Sequence, residues 1–97
     1  MTKKIVERCV IDTKPGSAEI YIDLFPKFRD MLMSVPGAIA TRLLLSQNNA
    51  SRFLLEMEFE SQESKNLFIS HPHMKSWAKE FWEHVGHETI IYYDEVG

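Results

Sequence analysis

The sequence predicts an α+β domain of ferredoxin-like βαββαβ order, with an antiparallel four-stranded sheet and the helices on one face. Three observations carry that reading. Phe53, Leu55, Met57 and Phe59 alternate with Leu54, Glu56, Glu58 and Glu60, which is the period of a half-buried strand. Farther on, Met74, Trp77, Ala78, Phe81, Trp82 and Val85 recur at three and four residues and so share one helix face. The change of period falls at His71-Pro72-His73, which reads as the hinge between them.

The first strand is expected over residues 5–11, where apolar and polar residues alternate, and Thr13-Lys14-Pro15-Gly16 closes it as a turn. Ser17 then suits a helix N-cap, with Glu19 placing negative charge in the first turn. The apolar face of this first helix is expected to be Ile20, Leu24, Phe28, Met31, Leu32 and Val35. Pro26 lacks a backbone donor and crowds the carbonyl four residues back, so a kink is expected over residues 22–25. Pro36-Gly37 stops the helix.

Residues 39–46 and 52–60 read as two strands joined by the polar loop Gln47-Asn48-Asn49-Ala50-Ser51. Ser61 should cap a short helical segment reaching Ile69, and His71 the aromatic helix, with Pro72 at its first position. Gly86 is expected to end that helix, and residues 89–95, rich in β-branched and aromatic side chains, to form the last strand.

At 97 residues the chain has room for one domain, 1–97, and one core. A net charge of −3 without a basic cluster argues against a nucleic-acid partner. No apolar run approaches the ~20 residues of a membrane span, and the start of the chain carries no secretory core, so no membrane partner and a cytoplasmic location are expected. The single cysteine, Cys9, rules out an internal disulfide and is read as a small buried apolar residue.

Helices on one side leave the other sheet face uncovered. Alternation assigns it Val6, Arg8, Val10, Arg42, Leu44, Leu54, Glu56 and Glu58, partly apolar and self-complementary in charge. Such a face suits an isologous contact, so a homodimer packed sheet to sheet is expected. Glu56, Glu58 and Glu60 read as outward charges of one strand rather than as paired catalytic acids.

Lys14-Pro15-Gly16 before the first helix, Val35-Pro36-Gly37 at its end, Leu55-Glu56-Met57-Glu58-Phe59 followed by Ser61 and Glu63, and His71-Pro72-His73 before the Trp77 helix form an ordered set. In that order they resemble the antibiotic biosynthesis monooxygenase domain family, whose members are dimeric α+β barrels. The resemblance covers nearly the whole chain. It implies a pocket between helices and sheet where some members oxidise small phenolic, quinol or polyketide-like aromatics with dioxygen, and no cofactor, metal or flavin. Two positions depart from the family pattern: Phe59 stands where members usually carry tryptophan, and Leu67 or Phe68 where a histidine is common. Haem-degrading relatives use an asparagine in the first strand, which residues 5–11 do not supply.

His71 and His73 are the candidate catalytic residues, because imidazole titrates near neutrality and one ring at the mouth of the aromatic helix could take a proton from a phenol or enol. Candidate substrate-binding walls are Trp77, one turn beyond His73, with Phe81, and Tyr21, Phe25 and Phe28 across on the first helix, completing an aromatic box. Met57 and Phe59 form its floor. No metal is expected, since the pairs His71/His73 and His84/His87 flank opposite ends of a helix ~20 Å long. The rival reading is a ligand-binding or signalling homodimer that kept the fold without the reaction.

Overall fold

The computed structural model describes residues 4–97. The elements follow in the order β1 (Ile5–Thr13), α1 (Ala18–Met33), β2 (Ala38–Leu45), β3 (Arg52–Phe59), α2 (Gln62–Ile69), α3 (Met74–Trp82) and β4 (Val85–Asp94). The strands form one antiparallel sheet in the order β2-β3-β1-β4, with the helices against a single face. This is the ferredoxin-like βαββαβ arrangement.

Strand alternation sets the two faces. Ile5, Cys9 and Ile11 of β1 and Phe53, Leu55, Met57 and Phe59 of β3 turn inward and are buried under the helices. On α1 the buried stripe is Tyr21, Phe28 and Leu32, continued by Val35 beyond the helix. Tyr21 takes the place expected of Ile20, which is 45% exposed, because steps of seven and four residues return to one side of a 3.6-residue helix. Phe68 of α2 and Trp77 and Phe81 of α3 complete the core.

Local chemistry departs from expectation at the element ends. Ser17 occupies the N-cap of α1 without a side-chain cap bond, and its Oγ lies 3.3 Å from His84 Nδ1 instead. Helix α1 is a single helix with Pro26 inside it. The N-cap of α3 is His73 rather than His71, and His71 Nδ1 accepts from the His73 backbone N–H at 3.1 Å. Strand β4 begins at Val85, so Gly86 lies inside it rather than ending α3. Ser61 caps α2 as expected, its Oγ accepting from the Ser64 N–H.

Gly37, after α1, has φ +86°, a region costly for side-chain-bearing residues. A Cβ there would also overlap the Ser64 side chain, so the turn into β2 needs glycine for two reasons.

On the uncovered face Glu56 stands opposite both Arg8 and Arg42 in the strand register. Its two oxygens accept from Arg8 Nε at 2.9 Å and Arg42 Nε at 2.7 Å, which lets a carboxylate only 8% exposed stay paired. Leu44, Ile91 and Tyr93 are exposed beside this fork.

Candidate active site

The helix layer does not seal the sheet everywhere. Between α3 and the sheet lies a cavity of about 120 Å³. Its helical walls are Phe28 from α1, Phe68 from α2, and Met74, Trp77, Phe81 and Trp82 from α3; Leu55 and Met57 of β3 and Ile90 of β4 line the sheet side. Most of this lining is apolar. The exceptions are Glu7 and Cys9 of β1 and Glu88 of β4.

Glu7 is in phase with Ile5, Cys9 and Ile11, so the pleat carries its carboxylate inward, where it is only 7% exposed. It accepts from the Cys9 thiol at 3.5 Å, a long contact to a weak donor. Glu88 faces the same side because it pairs with Ile11 across β1 and β4. Among the described residues its Oε2 is buried and has no hydrogen-bond partner. An unpaired buried acceptor of this kind costs stability and calls for an explanation.

Burial raises the proton affinity of both carboxyls. For Glu7 the loss of solvent is the main cause, opposed by the Cys9 thiol and by Lys65 of α2. For Glu88 loss of solvent is again first, opposed by Cys9 and reinforced by the charge of Glu7. The Cys9 thiol is pushed far up by burial and by the two acids beside it, so it remains a thiol and not a thiolate nucleophile.

The residues singled out in the sequence divide among three places. Phe28, Met57, Trp77 and Phe81 line the cavity. Tyr21 and Phe25 stand on its far side, around a gap of only about 10 Å³ shared with Phe28, Trp77 and Phe81. Such a gap is no larger than a single water requires. The rings there touch each other, Phe28 to Trp77 at 4.4 Å, Trp77 to Phe81 at 4.6 Å and Tyr21 to Phe81 at 4.7 Å between centroids. The expected aromatic box is therefore solid core. Phe59 is fully buried against Phe68 and does not line this cavity.

His71 and His73 lie elsewhere, in an open groove of about 430 Å³ lined also by Lys27, Met31, Ser34, Ser76 and Trp77. Their rings are 5.5 Å apart, and His71 Nε2 is 3.4 Å from Ser34 Oγ. Trp77 borders both this groove and the inner cavity. Among the described residues no group of three or more His, Cys, Asp or Glu is placed to hold a metal ion, and no helix is long and apolar enough to cross a membrane.

Sequence reasoning missed Glu7 and Glu88, while Cys9 is buried as expected. A signal existed for the first: an acid in the inward phase of a strand, flanked by Ile5 and Cys9, is a buried carboxylate in waiting. Glu88 was harder to see, because a strand expected to begin at residue 89 leaves it in a loop.

A family model described as antibiotic biosynthesis monooxygenase matches residues 5–80. Solved structures share the fold at low identity. SnoaB, a cofactor-independent oxygenase from Streptomyces nogalater, is 8% identical at a TM-score of 0.90, the match covering 99% of this chain and 96% of that one. A conserved protein from Methanosarcina mazei Go1 is 16% identical at 0.89, covering 98% and 95%. A Pseudomonas aeruginosa protein is 11% identical at 0.87, covering 100% and 98%. None of the curated proteins matches the chain.

Proposed function

The chain belongs to the antibiotic biosynthesis monooxygenase family, and from that premise we propose that it oxidises a small phenolic or quinol-like aromatic with dioxygen, without a cofactor, in the cavity between α3 and the sheet. The observation that carries the reading is the pairing of ring-lined walls with two inward carboxyls, Glu7 and Glu88, in one half-open cavity. Support of a coarser kind comes from the shared fold of SnoaB, itself a cofactor-independent oxygenase.

The chemistry asks little of the protein. A phenol is a poor electron donor until it loses its proton, and its anion is a good one. Glu88, with an oxygen free to accept and a proton affinity raised toward that of a useful general base, takes the phenolic proton. The electron-rich ring then reacts with dioxygen. In the net change one oxygen atom enters the ring as a carbonyl, and the other leaves as water with the phenolic hydrogen and the displaced ring hydrogen. Trp77, Phe28 and Phe81 hold the ring by stacking and keep bulk water from the anion.

A second reading keeps His71 or His73 as the base, and the size of the groove beside them favours it. A substrate on that side would rest on the opposite edge of Trp77. Oxygen uptake with a panel of quinols and hydroxynaphthalenes separates the readings. Loss of a positioned base slows the reaction by roughly 10²- to 10⁴-fold. Glu88→Gln should do so if the inner cavity is the site, and His71→Ala with His73→Ala if the groove is. No oxygen uptake with any member of the panel leaves a binding protein instead.

The protein works as a homodimer joined through the uncovered sheet face, in this proposal. The Arg8–Glu56–Arg42 fork and the exposed Leu44, Ile91 and Tyr93 support it, since they combine apolar area with charges of both signs. A cytoplasmic setting accords with the free thiol of Cys9.

A further inference from the structure

Glu88 Oε2 is the point at which the cavity departs from a plain apolar hole. It is buried, and among the described residues nothing donates to it. Glu7, nine-tenths buried, also faces the cavity and has only the distant Cys9 thiol as a side-chain donor. The cavity is thus a bowl of rings and aliphatic groups whose sheet side presents carboxyl acceptors, with the Cys9 thiol as the donor beside them.

Charge points the same way. Among the described residues no Lys, Arg or His lines the cavity. The cation nearest in effect is Lys65, which bears on Glu7 from α2 while its ammonium rests over the Tyr92 ring, 3.4 Å from the centroid. Among the described residues no comparable cation acts on Glu88, which feels the charge of Glu7 and a hydrogen bond from the Cys9 thiol. An anionic ligand would meet two carboxyls and no counter-charge. A ligand with an O–H or N–H would satisfy an acceptor that the fold leaves open.

Size narrows the class further. An apolar cavity of ~150 Å³ holds benzene, so about 120 Å³ takes at most one ring, part of it in the open mouth. Trp82, 48% exposed, and Ile90 form its rim, so a substituent can extend outward.

We infer that the inner cavity selects single-ring aromatics that donate a hydrogen bond and turns away aromatic carboxylates, with Glu88 as the docking acceptor and Glu7 as the excluding charge. The inference rests on the inner cavity being the binding site of the proposed function, and it adds the limit to one ring, the exclusion of carboxylates and the two residues that enforce them. It makes Glu88 a specificity-determining residue whether or not a reaction follows.

The test is a matched ligand series on the full chain: 4-methylphenol, toluene and benzoate, followed by calorimetry and by quenching of tryptophan fluorescence. Toluene has nearly the shape of 4-methylphenol without its donor, and benzoate carries the disfavoured charge. The phenol should bind about tenfold or more tightly than toluene, because toluene leaves the buried acceptor unpaired, and benzoate should not bind. In Glu88→Gln the advantage of the phenol should shrink to about threefold, since an amide oxygen is a weaker acceptor than a carboxylate. In Glu7→Gln/Glu88→Gln benzoate should gain binding.

Equal affinity for phenol and toluene, benzoate bound as tightly as the phenol, or no binding of any of the three overturns the inference. Should a variant fail to fold, the wild-type series decides alone. Oxygen uptake in the same samples keeps the two claims apart. The expected affinity order without oxygen consumption removes the oxidation and leaves the selectivity standing; consumption with a flat affinity order does the reverse.

Discussion

Phe28→Ala is the perturbation that joins the packing of this domain to its cavity. Phe28 is 2% exposed, its ring centroid lying 4.4 Å from Trp77 and 5.9 Å from Phe68, and it forms one wall of the cavity. Deleting a buried phenyl ring costs roughly 3–5 kcal/mol, the high end applying where neighbours cannot collapse inward. Trp77 is stacked on Phe81 and Phe68 is packed on Phe59, so little collapse is available here. In a domain of 97 residues each kcal/mol shifts the melting temperature by ~4–8 °C, so a fall of about 15–30 °C is expected. The missing ring also enlarges the hollow. Benzene at one hundred times its dissociation constant should therefore restore about 2.7 kcal/mol. Urea denaturation with and without benzene reads both effects. A loss below about 1.5 kcal/mol with no rescue would refute the view that the rings of α1 and α3 are rigid walls around a real space.

Four other expectations follow from particular residues. Both Glu7 and Glu88 bind protons more tightly in the folded chain than the ordinary carboxylate value of 4.5 allows, so the native state holds more protons than the unfolded state just above that value. Stability should then decline as pH rises from there through the folded carboxyls' titration, and Glu7→Gln or Glu88→Gln should flatten the decline in urea melts taken across pH. Gly37→Ala should cost about 1–3 kcal/mol from its positive φ alone, with the overlap at Ser64 in addition, visible as a lower urea midpoint at unchanged slope. Light scattering at micromolar concentration should give the mass of two chains, and Glu56→Ala, which strands Arg8 and Arg42 on the shared face, should shift the mass toward one. His71→Ala should leave the melting temperature within a few degrees, since the ring lies in an open groove and its described bonds are to the His73 backbone and Ser34.

Most of the architecture was legible in the residues. The inward run Phe53, Leu55, Met57, Phe59 is buried as its alternation requires, and the pairing of Arg8 and Arg42 with Glu56 follows from strand phase. Helix ends were less legible because competing local bonds decide them. His71 is the expected cap and its Nδ1 does accept a backbone N–H, that of His73, but the helical run starts only at Met74, which leaves His73 at its N-cap. The site was legible in part. Trp77, Phe81, Phe28 and Met57 announce themselves by period and size. Whether a cluster of rings encloses space or fills it depends on side-chain contact, which no period records; Tyr21 and Phe25 fell on the filled side. Glu7 could have been found by asking why an acid sits in an apolar phase, whereas Glu88 depends on the register of β4 against β1.

The most direct measurement is a crystal structure of the protein soaked with 4-methylphenol under anaerobic conditions. The ring should appear between Trp77 and Met57, with its hydroxyl within hydrogen-bonding distance of Glu88. Density for the phenol in the groove beside His71 and His73, with the inner cavity empty, would contradict the placement of the chemistry at the buried carboxyls.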